Sequence, residues 1–185
     1  MEASGHERLA LGHEARIVIY PSKPPSRLMQ PRNWQLQYLA DNMREDEKTA
    51  WCALTGATQY NADTAAEALI TTTGIRFVLM GDKWPVVAGG FEKERGNAWA
   101  GWMVGTDEGW RTDWRGITRA ARWLMGQMFA QGATRLSITT TQARVGACDW
   151  YAKALGMQCD AVLRHAGANG ETLVVYSRIQ ANSHG

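Results

Sequence analysis

The stretch from residue 98 to residue 140, AWAGWMVGTDEGWRTDWRGITRAARWLMGQMFAQGATRLSITT, decides the fold. It opens on an aliphatic and aromatic run, 98–104, that reads as a strand. It closes on 134–140, where β-branched residues predict a second strand. Between them Ile117, Ala120, Ala121, Leu124, Met125 and Met128 recur at the i, i+3, i+4 spacing of one apolar helical face, and Gly132 stops that helix. A helix of this length between two strands requires a crossover rather than a hairpin. The two strands are therefore expected to be parallel within one sheet.

On the N-terminal side, strands at 75–80 and 85–91 flank the turn Gly81-Asp82, and Arg95-Gly96-Asn97 turns the chain into 98–104. These three strands form a meander. On the C-terminal side a helix carries Val145, Cys148, Ala152 and Leu155 on one face and ends at Gly156. Strands at 158–164 and 172–178 follow, around a turn at 166–170. Before the meander, Asn33 reads as the cap of a helix bearing Leu36, Leu39, Ala40 and Met43. A second helix is expected from an Asp63 cap through Ala66, Leu69 and Ile70 to Gly74. The class is α/β (α+β), a mixed sheet with helices on its faces. Residues 1–30 read as an arm: a polar tail over 1–14, a short strand at Ile17-Val18-Ile19 stopped by Pro21, then a linker that Pro21, Pro24, Pro25 and Pro31 keep from being helical. The domain is expected over 31–180, with a short tail at 181–185.

A chain of 185 residues supports one domain with a real core. The formal net charge of +2 is too small to argue for nucleic acid or an anionic membrane as the main partner. No apolar run reaches the roughly 20 residues that span a bilayer. Residues 1–12 hold no apolar signal-peptide core. Cys52, Cys148 and Cys159 form no CxxC pair and read as reduced thiols of a reducing compartment. His6, His13, His165 and His184 have no ligand spacing, so no metal site is expected. The 9 tryptophans favour large packing surfaces, internal or at an interface.

The segment Asp149-Trp150-Tyr151-Ala152-Lys153-Ala154-Leu155-Gly156-Met157, after a strand and a helix, resembles the C-terminal signature of the GNAT superfamily of acetyl-CoA-dependent N-acetyltransferases. The resemblance covers about residues 36–178 and implies a mixed, mostly antiparallel sheet with helices on both faces. Met43-Arg44-Glu45-Asp46-Glu47, and Trp102-Met103-Val104-Gly105-Thr106-Asp107 running into Trp110-Arg111, resemble GNAT-like proteins of tailed phages, including the T7-type internal virion protein.

In this superfamily the start of the long helix holds the cofactor's pyrophosphate with backbone N–H groups. The matching register here is Arg115-Gly116-Ile117-Thr118-Arg119-Ala120, so Arg115, Gly116, Thr118, Arg119 and Ala120 are the candidate cofactor contacts. Thr118 stands where the pattern has its central glycine, with a β-branched side chain expected to point at the pyrophosphate. Arg111, Arg115, Arg119 and Arg122 share one helix face, which reads either as a phosphate-binding stripe or as a solvated face. The family's acid is a tyrosine, and the count back from Gly156 puts Ala152 in its place. Tyr151 is next to it, about 100° around an α-helix, and reads as a packed aromatic unless a one-residue bulge turns it inward. Glu92, Glu94 and Asp107 follow or flank strands of the meander, and Glu92, closest after Phe91, is the first candidate base.

Two functions follow from the resemblance. The first is a virion-associated structural or ejection protein with a degenerate acetyl-CoA site and no cofactor. It would work in the virion or the host cytoplasm, in a multi-copy assembly with portal, tail or core proteins. Trp99, Trp102, Trp110 and Trp114 are its candidate contact surface. The second is an acetyl-CoA-dependent N-acetyltransferase acting on an amine.

Overall fold

The computed structural model describes residues 23–180. The polar tail over 1–14, the expected strand at 17–19 and the tail at 181–185 lie outside the described residues. The strands are β1 (Leu28–Met29), β2 (Ile75–Met80), β3 (Pro85–Arg95), β4 (Ala98–Gly105), β5 (Arg135–Thr141), β6 (Gln158–Leu163) and β7 (Leu173–Ile179). They form one sheet in the order β1-β2-β3-β4-β5-β7-β6. Every neighbouring pair is antiparallel except β4 and β5, which run parallel as the crossover requires. The helices are α1 (Asn33–Asp41), α2 (Glu45–Thr55), α3 (Ala62–Thr71), α4 (Asp107–Ala130) and α5 (Val145–Asp149), the last continuing into a π-helical turn, Trp150–Ala154. No helix among the described residues is long and apolar enough to cross a membrane. Cys52, Cys148 and Cys159 are free.

Strand alternation splits the core between the two faces of the sheet. Phe77, Phe91 and Leu136 pack with Leu124, Met125 and Met128 of α4 and with Tyr151 and Leu155. Val78, Ala88 and Val104 pack on the other face against Leu36, Leu39 and Ala40 of α1 and Ala65, Ala66 and Leu69 of α3. Leu136, the second residue of β5, is fully buried. Leu136→Ala is expected to lower the unfolding free energy by about 2–5 kcal/mol, through lost apolar burial and the cavity left behind. Urea unfolding measures this directly.

Several elements depart from the sequence reading. Helix α2 has no counterpart in the periodicity reading, because its buried positions are Glu47, Ala50 and Ala53, a stripe of one carboxylate and two alanines with no apolar period. Gly56, at φ 81°, ends it in the left-handed conformation. Arg32, not Asn33, is the cap of α1, and Gln35 Oε1 accepts from the Arg32 N–H at 2.7 Å. Asn61, not Asp63, caps α3, its side chain accepting from Thr64 N at 2.9 Å. The described part of the expected arm is joined to the sheet: Leu28 and Met29 pair with Leu79 and Val78 along the free edge of β2. Helix α4 starts ten residues before its apolar stripe, at Asp107, and is kinked at Asp113 (φ −126°, ψ 23°).

Candidate active-site cleft

The parallel pair sets the site. β4 and β5 are paired only from Ala98↔Arg135 to Gly101↔Ile138. Beyond that point β4 stays with β3 as far as Gly105↔Val87, and β5 stays with β7 as far as Thr141↔Leu173. The two strands therefore part, and the backbone they expose to each other must find other partners. The connection into α2 supplies them for β4. Met43 forms an antiparallel bridge with Thr106, and Arg44 N donates to Gly105 O at 3.3 Å. One turn later the Glu47 side chain reaches the same place, where its Oε2 accepts from Gly105 N at 2.6 Å.

Glu47 is 4% exposed, and burial pushes its carboxyl from 4.5 up to about 7 against the opposing pull of Arg144, the Gly105 N–H and Arg44. Arg144, just before α5, donates from Nη2 to Glu47 Oε1 at 3.1 Å and from Nε to Asp46 Oδ2 at 2.9 Å. Tyr151 interacts with Arg144 as well. Burial raises the phenol to about 12, with Arg144 drawing it down. Glu47, Arg144, Tyr151 and Met103 line two cavities at once, one of about 520 Å³ and one of about 590 Å³. The first opens toward α2 and the end of α3, past Trp51 and Thr72. The second opens between the start of α4 and α5, past Trp110 and Val145. A weak base near neutrality and a phenol that holds its proton thus meet where two openings join.

The backbone explains how Tyr151 arrives there. Leu155 N donates to Trp150 O at 3.1 Å, an i→i+5 bond that inserts one residue into the helix. The count from Gly156 back to the cleft is five rather than four. Tyr151 takes the position that an unbroken α-helix would give Ala152. The one-residue bulge that the sequence leaves open is present, and Tyr151 is fully buried against the cleft rather than turned away from it.

No family model matches the chain, and no curated protein matches it in sequence. Its structure does match. The ribosomal-protein-alanine N-acetyltransferase of Brucella melitensis superposes with a TM-score of 0.64 at 12% identity, covering 83% of this chain and 99% of that one. A GNAT-family acetyltransferase of Bacillus anthracis gives 0.63 at 10% identity, over 82% and 93%. A Salmonella typhimurium protein solved with acetyl-CoA as its cofactor gives 0.61 at 9% identity, over 85% and 95%. The fold is that of the GNAT acetyltransferases.

Whether this GNAT fold suits acetyl-CoA can be tested at two points. The 590 Å³ cavity, between α4 and α5, is lined by Met103, Trp110, Val145, Ala147 and Trp150, whose apolar surface suits a slender thiol arm, and also by the charged Arg44, Glu45, Asp46, Glu47, Asp107 and Arg144. The helix start is different. Thr106 Oγ1 already accepts from Gly109 N at 3.0 Å, and Asp107 and Glu108 occupy the first turn. At the kink, the Asp113 carboxylate folds over Gly116, where an added Cβ would collide with it, and pairs with Arg27 at 2.8 Å. Carboxylates stand at both helix starts, where a diphosphate would need uncompensated N–H groups and positive charge. The cleft fits an acylated thiol arm; the helix start does not fit a diphosphate.

The other candidate residues spread out. Glu92 lines the outer part of the 520 Å³ cavity, with Oε1 accepting from Thr73 N at 3.2 Å. Glu47, the carboxylate at the centre, was overlooked because it sits in an unrecognised helix; its one visible signal was its place in the Met43–Glu47 motif. Arg111 pairs with Glu108, Arg115 lies over the Trp114 ring, and Arg122 Nε donates to Ala154 O at 2.8 Å, so the arginines form no common anion stripe. Trp99 and Trp102 pack on opposite faces of the sheet, and Trp110 meets Trp150 edge-on. Of the four tryptophans only Trp114 is strongly exposed, so they do not form one surface.

Thr118 turns inward rather than outward. It is 8% exposed and faces the core: its Oγ1 donates to Trp114 O at 2.8 Å and accepts from Trp150 Nε1 at 2.9 Å. It does not point at a pyrophosphate. Thr118→Gly is therefore expected to destabilise the chain by about 1–3 kcal/mol, through a mid-helix glycine and an orphaned indole N–H. No gain in acetyl-CoA affinity should accompany it. Thermal unfolding and titration calorimetry on one preparation check both halves.

Proposed function

We propose that this chain is an N-acyltransferase, moving an acyl group from a thiol ester to a primary amine in the β4–β5 cleft. The observation that carries the reading is the meeting of Glu47 and Tyr151 where the two cavities join. The GNAT fold of the neighbours supports it as analogy. Glu47, half deprotonated near pH 7, takes a proton from the acceptor nitrogen as the C–N bond forms. Tyr151 keeps its proton up to about pH 12 and gives it to the sulfur as the C–S bond breaks. Arg144 lies against both groups and holds them in one geometry. Residues of the α2 side, among them Trp51 and Glu92, wall the amine's approach.

The test is amine-dependent release of free thiol from acetyl-CoA and from acetyl-pantetheine, with the acylated amine identified by mass. Product is expected from both, with no advantage to acetyl-CoA because its diphosphate meets Asp107 and Glu108. Absence of product from either donor across a panel of primary amines would contradict the reading.

One observation favours a second reading. The carboxylates at the helix starts suit a GNAT scaffold that no longer takes its cofactor, docking instead on other protein chains, such as the portal, tail or core proteins of a phage particle. Trp114 is then the expected anchor, and Trp114→Ala would abolish assembly while Glu47→Gln left it intact.

A further inference from the structure

Where β4 and β5 begin to part, on the α4 side of the sheet, lies an apolar cavity of about 50 Å³. Phe91, Met125, Leu136 and Leu155 form part of its wall. Gly101, Ile138 and Tyr151 belong both to this wall and to that of the 520 Å³ cavity on the opposite side, so the two spaces adjoin through the gap between the strands. Tyr151 is the one titratable side chain in the lining. Gly101 helps keep the passage open: a Cβ there would stand 3.2 Å from Phe91 and 3.3 Å from Ser137 O.

We propose that this cavity is an acyl subsite, and that the chain takes donors whose acyl group has three or four carbons rather than two. The inference rests on the acyltransferase reading and deepens it. A carbonyl attacked beside Tyr151 sits at the gap between β4 and β5. From there the acyl carbon chain has two directions. Toward α2 it would compete with the amine for the space around Glu47. Toward α4 it enters a space with no charged group, which water occupies poorly and hydrocarbon fills well. The volume holds roughly three or four water-sized groups, enough for an extension of one or two methylenes and too little for a long chain.

The experiment uses the full chain and the S-acyl-N-acetylcysteamine series acetyl, propionyl, butyryl and hexanoyl. Two quantities are read for each: the shift in melting temperature and the rate of transfer to a primary amine. Both are expected to climb from acetyl to butyryl, the rate by tenfold or more, as a filled apolar pocket discriminates. Both should fall again at hexanoyl. Ala121→Leu, which narrows the cavity from α4, should bring the butyryl rate down to the acetyl rate. Values that are flat or decline from acetyl onward, with transfer intact, overturn the subsite and leave the acyltransferase reading standing. A melting shift that climbs to butyryl without any transfer supports the subsite and removes the acyltransferase reading. Neither shift nor transfer with any donor overturns both.

Discussion

Replacing Glu47 by Gln is expected to lower kcat/KM for acyl transfer by about 10²–10⁴-fold, the usual worth of a positioned general base. Gln keeps the size of the side chain, but its single carbonyl oxygen can replace only one of the two carboxylate oxygens that accept from Gly105 N and Arg144, so thermal unfolding of the variant is measured beside the rate. The pH profile separates a base from a spacer. With the carboxyl at about 7, the wild-type rate should climb tenfold per unit below that pH and level off above it. The Gln variant should lose that limb. The same shift has a consequence for folding. The folded chain binds this proton more tightly than the unfolded chain, whose carboxyl titrates near 4.5. The stability that Glu47 contributes is therefore full below pH 4.5 and is lost as the pH rises through 7. A rise of this size corresponds to roughly 3 kcal/mol between those limits. Urea midpoints at pH 5 and pH 8 should fall apart in the wild type and draw together in Glu47→Gln.

The second large effect is expected at Tyr151. Tyr151→Phe should reduce kcat and kcat/KM together, by about 10²-fold, because the hydroxyl acts only as the sulfur departs. KM should change little, since the ring still fills the cleft wall. The π-helical turn makes a sharper version available. In the double variant Tyr151→Ala, Ala152→Tyr the phenol stands where an unbroken α-helix would aim it at the cleft. With the i→i+5 bond between Trp150 and Leu155 in place, that phenol points elsewhere and activity should stay lost. Recovery in the double variant would mean that the helix is α-helical in solution and that Tyr151 does not hold the acid position.

These two residues show where sequence is informative and where it stops. The strand–helix–strand stretch over 98–140 carries an aliphatic and aromatic run, a 3.6-residue apolar period and a β-branched run, so the parallel pair and the surrounding meander are legible. Helix α2 is not, because it turns inward on Glu47 and two alanines, and a stripe of that kind has no hydrophobic period. Glu47 is hidden with the helix, whereas Glu92 stands out because strands are easier to recognise than a polar helix. Tyr151 was named, yet its orientation depends on one inserted residue, which leaves no mark in composition or spacing. The glycine pattern aims the Thr118 side chain outward, whereas the indole of Trp150, distant in sequence, holds it in the core. The splay of β4 from β5, which makes the cleft, follows from the backbone of Met43 and Arg44 and the side chain of Glu47 claiming the end of β4. That competition becomes visible only when the elements are assembled.

Burial holds the Glu47 carboxyl near neutrality inside the β4–β5 cleft. The most direct measurement is a pH titration of the Glu47 side-chain carboxyl ¹³C resonance, assigned by its disappearance in Glu47→Gln, and it needs no knowledge of the acceptor amine. A midpoint near 7 is expected, from burial only partly offset by Arg144 and the Gly105 N–H. A midpoint in the ordinary carboxylate range, near 4.5, would contradict the account, because the cleft would then hold a solvated or fully compensated carboxylate and no base tuned for acyl transfer.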